Sequence, residues 1–179
     1  MRVDPALVRL VPWSDDDLPL LVRLNAPEMM EHLGGPETDE QVMLRHRRYV
    51  AIARSGIFHQ SDREFRAFAF KAVLEPGGVG VGSVNLWERE WRGEEVYEMG
   101  WAVAPEFQGR GVASAMVLLA VEAARETKRR SAVHAFPSVD NAPSNGICRR
   151  VGFELLGEER FEYPKGHWMR CNDWRITLR

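Results

Sequence analysis

Cysteine is scarce: two residues, Cys148 and Cys171, in a chain of 179. Neither sits in a Cys-x-x-Cys pair or beside histidines at metal-binding spacing, which excludes a disulfide framework and argues for a reduced, cytoplasmic setting. The five histidines, His32, His46, His59, His134 and His167, form no ligand pattern, so no metal is expected. No stretch approaches the ~18 apolar residues of a membrane helix, and "MRVDPALVRLVPWSDDD" lacks a basic region followed by an apolar one. Neither a membrane partner nor an export signal is therefore expected. Charge of either sign is not in excess: 24 Lys and Arg face 26 Asp and Glu, a formal net charge of -2. That gives no chain-wide attraction for nucleic acid, and any charge-driven binding must be local. Internal repeats and low-complexity tracts are also missing, which excludes solenoids and arrays.

What the chain does have is periodicity. With 45% hydrophobic residues it suits one compact domain over residues 1–179. Val8 to Trp13 reads as a first strand. Ser14 with Asp15, Asp16 and Asp17 offers an N-cap and negative charge to a helix carrying Leu18, Leu21 and Val22. Thr38-Asp39-Glu40-Gln41 is a capping box that opens a second helix reaching about Ser55. "MEHLGGPET" between them reads as loop. From Phe65 the period becomes two, and turns at "PGG" and "RG" predict a three-stranded meander ending in "EVYEMGWAVA". Val112, Ala115, Met116, Leu119, Ala120 and Ala123 then share a helical face. Val117, Leu118 and Val121 make the other faces apolar, which predicts a helix buried on several sides, with Lys128, Arg129 and Arg130 at the negative end of its dipole. "SAVHAFPSV" follows as a strand and "NAPSNGICRRVG" as a short helix, with Asn141 at its start, Pro143 in its first turn and Gly152 at its stop. From Phe153 two strands hinged at "YPKG" close the chain. The expected order is β-α-α-β-β-β-α-β-α-β-β, an α/β sheet of mixed direction.

The joint between the meander and the long helix, "APEFQGRGVASAM", carries little side chain. A strand-to-helix turn built this way lets a ligand reach the backbone, where the first helical N–H groups lack partners and the positive end of the dipole lies behind them. The loop reads as a cradle for a phosphate or pyrophosphate, or else as glycines that merely permit a tight turn. It is no dinucleotide fingerprint, because Ser114 stands where a third glycine belongs, and no G-x-x-x-x-G-K-[ST] string exists.

"QGRGVA", Gln108 to Ala113, resembles the Q/R-x-x-G-x-G/A coenzyme A loop of the GNAT acetyltransferases, and "NAPSNGICRRVGF" resembles that superfamily's N-x-x-S/A helix and terminal Gly-Phe. One strand lies between the two motifs, as in the family. "LGGPET", "YEMGWAV" and "NDWRITL" resemble the branch that includes ribosomal-protein alanine and serine N-acetyltransferases, so the likeness runs along nearly the whole chain. The resemblance implies a single-domain fold with splayed fourth and fifth strands, acetyl-CoA as acyl-donor cosubstrate, and an amine as acceptor. The acceptor is a protein or peptide N-terminus, or a small amine such as an aminoglycoside, polyamine or amino-acid derivative. A coenzyme A-binding regulator of the same fold is the alternative, and the resemblance leaves a homodimer open.

By the same resemblance, Trp101, Ala102 and Val103 offer backbone groups to the pantetheine arm. Gln108, Gly109, Arg110, Gly111, Val112, Ala113 and Ser114 hold the pyrophosphate. Asn141 reaches the arm from across the gap or serves only as an N-cap, and Ser144 and Asn145 are weaker candidates of that kind. Glu98, on the strand approaching the acetyl group, is the candidate general base, and His134 competes with it. The family often carries a tyrosine after the second motif as the thiolate's proton donor; here Cys148 stands there, either as donor or as a buried apolar residue. His32, Leu33, Gly34, Trp87 and Glu98 are the candidate acceptor contacts. Trp87, Trp91 and Trp101 read either as pocket lining or as packing.

Overall fold

The computed structural model describes residues 3–60, 62–162 and 166–178. Eight strands form its sheet: β1 (Val8–Pro12), β2 (Ile57–Gln60), β3 (Arg63–Leu74), β4 (Val79–Trp91), β5 (Glu94–Val103), β6 (Ala132–Ala135), β7 (Glu154–Glu162) and β8 (Trp168–Thr177). Their spatial order is β1-β3-β4-β5-β6-β8-β7, with β2 paired to the far end of β3. Five α-helices accompany them: α1 (Leu18–Arg23), α2 (Pro27–Met30), α3 (Asp39–Ser55), α4 (Val112–Glu126) and α5 (Ala142–Val151). The expected order holds, with two additions. The four-residue β2 extends the path from α3 into β3, and α2 precedes a 3-10 turn at Glu31–Leu33 in the segment read as loop.

Local chemistry explains the boundaries. The capping box at α3 forms as expected: Thr38 Oγ1 accepts from the Gln41 N–H at 3.3 Å, and Gln41 Oε1 from the Thr38 N–H at 2.8 Å. Ser14 caps a 3-10 turn, Asp15–Asp17, rather than α1 itself. Asp17 is buried there and receives Lys71 Nζ at 2.5 Å, so this acid ties α1 to the sheet. Between β4 and β5, Arg92 and Gly93 both take positive φ, 52° and 80°, the pattern of a two-residue type I′ hairpin whose twist matches the strands. The hinge expected at "YPKG" falls between β7 and β8, and its residues 163–165 lie outside the described residues.

The sheet has a core on each face. Val81, Leu86, Tyr97, Met99 and Val103 meet α4 and α5 on one side; Ala67 and Ala69 meet Leu21 of α1, its C-cap Leu24, and Val42 and Val50 of α3 on the other. Alternation along β3 and β5 makes this possible, since successive side chains point to opposite faces. The reading of α4 needs correction. Val112, Ala115, Met116, Val117, Ala120, Val121 and Ala124 form one broad buried face, while Leu118 and Leu119 are exposed, so the helix is covered on one side only. Arg129 and Arg130 do not serve its dipole: α4 ends at Glu126, and both guanidinium groups turn to the buried Glu88 of β4, at 2.8 and 3.2 Å. Burial alone would raise the Glu88 carboxyl. The Arg129 hydrogen bond, the Arg66 N–H and both guanidinium charges outweigh that and hold it below the usual carboxylate range.

One irregularity shapes the centre of the sheet. β5 and β6 run parallel and share only two paired positions, Tyr97↔Val133 and Glu98↔His134. Beyond them β5 continues to Val103 with β4 as its one strand partner. The chain after β6 instead follows β8, through the Ser138↔Cys171 bridge and the Asn172 N–H to Pro137 carbonyl bond. The strands therefore splay apart toward their C-terminal ends, and α4 begins at the open mouth.

Candidate active site

The mouth is the glycine loop. Gly109 and Gly111 have φ of 68° and 89°, conformations that side-chain-bearing residues rarely adopt. Gly111 is the N-cap of α4, and the first helical bond is the Ala115 N–H to the Gly111 carbonyl at 3.1 Å. The N–H groups of Val112, Ala113 and Ser114 thus have no helical acceptor, which is the donor set a pyrophosphate needs. Two cations flank it. Arg110 lies over the Phe107 ring, and Arg150, reaching across from α5, donates to Ser114 Oγ at 3.1 Å. Sequence reasoning missed Arg150, because only the packing of α5 on α4 brings it there. Gln108 turns back to β5, donating to the Val103 carbonyl at 3.0 Å, and so fixes the loop to the strand.

On the far side of the gap the α5 candidates separate. Asn141 Oδ1 accepts the Ser144 N–H at 3.0 Å and is the N-cap of α5; its Nδ2 has no partner among the described residues. Asn145 is a correction. It is buried and donates to the carbonyls of Ser138 and Asn141, both at 2.8 Å, while its oxygen accepts from Asn172 Nδ2 at 2.7 Å and Trp174 Nε1 at 2.8 Å. With both donors and both lone pairs engaged, it ties α5 to β8 and has nothing left for a ligand.

Cys148 is corrected too. The side chain is fully buried in the α4–α5 core, and burial pushes its thiol up to about 12. A group sealed among apolar side chains cannot deliver a proton to a departing thiolate. Replacing Cys148 by alanine is expected to lower stability by roughly 1 kcal/mol while kcat stays near the parent value; a hundredfold fall in kcat with folding and acetyl-CoA binding intact would overturn the packing role.

At the closed end of the gap lie Glu98 and His134, register partners across β5 and β6. Glu98 is mostly buried, with 15% of its side chain exposed. Burial pushes its carboxyl above the ordinary range; Arg89, which donates to Oε2 through Nη1, offsets this in part, as do His134 and a hydrogen bond from Trp87. His134 is buried, with Nδ1 2.6 Å from Asp173 Oδ1. Asp173 is fully buried, which would raise its carboxyl, but His134 and Trp91, whose Nε1 donates at 2.9 Å, hold it low. An ionised carboxylate only accepts, so Nδ1 carries the proton toward Asp173, and in the neutral imidazole Nε2 is the basic nitrogen. Asp173 was visible in "NDWRITL" only as a family-like string; the β6–β8 pairing gives it this partner.

The remaining candidates are dispersed. Trp87 faces Glu98 directly across the β4–β5 pair. Trp91 joins Phe136 and Phe161 in an aromatic cluster, whereas Trp101 packs on the α4 side of the sheet. His32, half-buried in the 3-10 turn before Gly34, lines an open cleft of about 390 Å³ with Ser138, Asp140, His167 and Trp168. No group of histidines, cysteines and acids among the described residues is arranged to hold a metal ion.

Fold and site together define a class: a mixed α/β sheet whose one parallel strand pair splits open before a helix N-terminus. Residues 8–154 match the family profile described as the acetyltransferase (GNAT) domain, and the chain belongs to that family. Over 117 residues it is 24% identical to an uncharacterized N-acetyltransferase, YnaD, of Bacillus subtilis strain 168. That alignment spans 65% of this chain and 65% of the relative's length. The fold matches, with a TM-score of 0.75 and 17% identity, the Salmonella typhimurium acetyl transferase that modifies the N-terminal serine of the 50S subunit protein L7/L12, over 96% of this chain and 95% of that one. It also matches the Vibrio cholerae spermidine N-acetyltransferase solved with CoA and spermine, with a TM-score of 0.74, 17% identity, and 97% and 96% coverage.

Proposed function

We propose that the chain is an acetyl-CoA-dependent N-acetyltransferase of the cytoplasm, working as a single domain over residues 1–179 and moving acetyl directly from the thioester to a primary amine. The observation that carries the reading is the alignment of three features along one gap: the glycine cradle at its mouth, the unpaired edge of β5 along its length, and Glu98 beside His134 at its closed end. The N–H groups of Val112 to Ser114 hold the pyrophosphate, with Arg150 adding charge. Trp101 to Val103 present backbone groups to the pantetheine arm. Bound acetyl-CoA supplies the activated acyl group.

The chain's own part is proton handling and positioning. The acceptor must lose a proton to attack, and Glu98 is poised to take it, directly or through water. With its carboxyl raised, Glu98 is a stronger base than an exposed carboxylate. His134 Nε2 is the second basic group at that end. With Cys148 sealed in the core, water protonates the departing thiolate.

Calorimetry with the purified chain and acetyl-CoA, followed by thiol release in a panel of monoamines, polyamines, aminoglycosides, amino acids and peptides, tests the proposal. Saturable binding at one site and turnover of at least one amine are expected. Absence of acetyl-CoA binding would sink it; binding without turnover of any amine would favour the regulator.

A further inference from the structure

Arg89 of β4 holds its guanidinium against three aromatic rings. Its guanidinium carbon lies 5.0 Å from the Trp91 ring centroid, 5.6 Å from Phe136 and 5.2 Å from Phe161. Those rings contact one another at 4.9, 5.5 and 4.6 Å between centroids. They come from β4, the segment after β6, and β7, so the box exists only in the folded sheet. Aromatic walls beside a buried carboxylate are how proteins hold organic cations. Here the chain's own guanidinium fills the box and bonds Glu98.

This arrangement sets the charge an acceptor meets. A guanidinium is permanently protonated, so a second ammonium on the acceptor, brought near Glu98, faces a like charge in a partly desolvated place. Three carboxylates of β7 and β8 are already paired: Glu159 with Arg92, Glu158 with Arg170, and Asp173 with His134 and Trp91. Arg89 itself is not saturated. Nη1 serves Glu98 and Nε reaches the Glu90 carbonyl at 3.4 Å, but Nη2 has no partner among the described residues, and 26% of the side chain is exposed. A planar N–H edge open beside the base matches a carboxylate.

Resting on the transferase reading above, we propose that Arg89 selects the acceptor, taking the carboxylate of a small amine so that its amino group lies at Glu98. The acceptor class is then amines of the amino-acid type, and polycations are disfavoured.

The test compares kcat/KM for the twenty amino acids, their carboxamides and a set of diamines and polyamines, with the parent protein, Arg89→Gln and Arg89→Lys. Folding is checked by thermal melting and acetyl-CoA affinity by calorimetry. The parent is expected to prefer at least one amino acid over its amide by about tenfold or more, the scale of one charge-assisted contact. Arg89→Gln is expected to remove that preference by raising KM for the acid and not for the amide, and Arg89→Lys to restore part of it. A purely structural role for Arg89 predicts equal losses on acid and amide, and that result overturns the proposal. So does a parent that acetylates no amino acid, whatever it does with polyamines. If acetyl-CoA binding is absent as well, the transferase reading itself falls.

Discussion

Gly111→Val abolishes acetyl-CoA binding in a protein that still folds: that is the expected result of putting a β-branched residue at the hinge of the cradle. Gly111 sits at φ 89° as the N-cap of α4. Valine there costs on the order of 1–3 kcal/mol of backbone strain, or else relaxes by rotating out of the left-handed region. Either way the N–H groups of Val112 to Ser114 lose the common aim that one phosphate requires. A fold stability of roughly 5–15 kcal/mol absorbs that strain, because the buried face of α4 from Val112 to Ala124 is untouched. Calorimetry should show no saturable heat with acetyl-CoA up to a hundred times the parent Kd, about 2.7 kcal/mol of lost binding, with a retained cooperative melt. Parent-like affinity in the folded variant would remove the cradle from the site.

The second large effect is expected at Glu98. Glutamine keeps the shape and removes the base, so kcat should fall by about 10²–10⁴-fold, the range general-base groups supply, with acetyl-CoA affinity unchanged. The pH profile carries its own signature. Because burial raises the Glu98 carboxyl, the rising limb of kcat in the parent lies above the ordinary carboxylate range, where the group loses its proton. In Glu98→Gln that limb disappears. The same shift has a stability sign: a carboxyl raised in the folded state contributes fully below its unfolded value, and that contribution is lost as pH rises through the raised one. Ionised Glu98 therefore weighs against the fold at neutral pH, and a collapse of kcat is not explained by unfolding. His134→Ala, measured beside it, is expected to cost less. Near-parent kcat in Glu98→Gln with an unchanged profile would pass the role to His134.

Much of this site was legible before any fold was known, because its parts are local. The cradle is contiguous, and its glycines are required by backbone conformation alone. Asn141 as a cap and Gly152 as a stop, at φ 99°, follow from the first and last turns of one helix. The capping box at Thr38 and the Arg92-Gly93 hairpin are equally local. Where the reading failed, the missing information was what stands opposite. Leu119 fits the apolar face of α4 by spacing but meets solvent, because the sheet covers only one side of that helix. Asn145 matches a binding motif but spends its hydrogen bonds on β8, on Ser138 after β6 and on the Asn141 carbonyl at the start of α5. Arg89 alternates with Trp87 and Trp91 on the face that Glu98 shares, yet sequence could not say that Phe136 and Phe161 close around it.

By itself, then, the sequence determined the order of elements, the glycine turn before α4, the family likeness and the strand that carries Glu98, since each rests on backbone preference and periodicity within a short segment. Only the tertiary structure decided which side chains are spent and which are left for chemistry. That choice depends on strands far apart in the chain: β6 follows β8 away from β5 and opens the gap, Asp173 meets His134 across 39 residues of sequence, and the box around Arg89 closes. Pairing between distant strands is fixed by the burial of whole faces, which no single segment encodes.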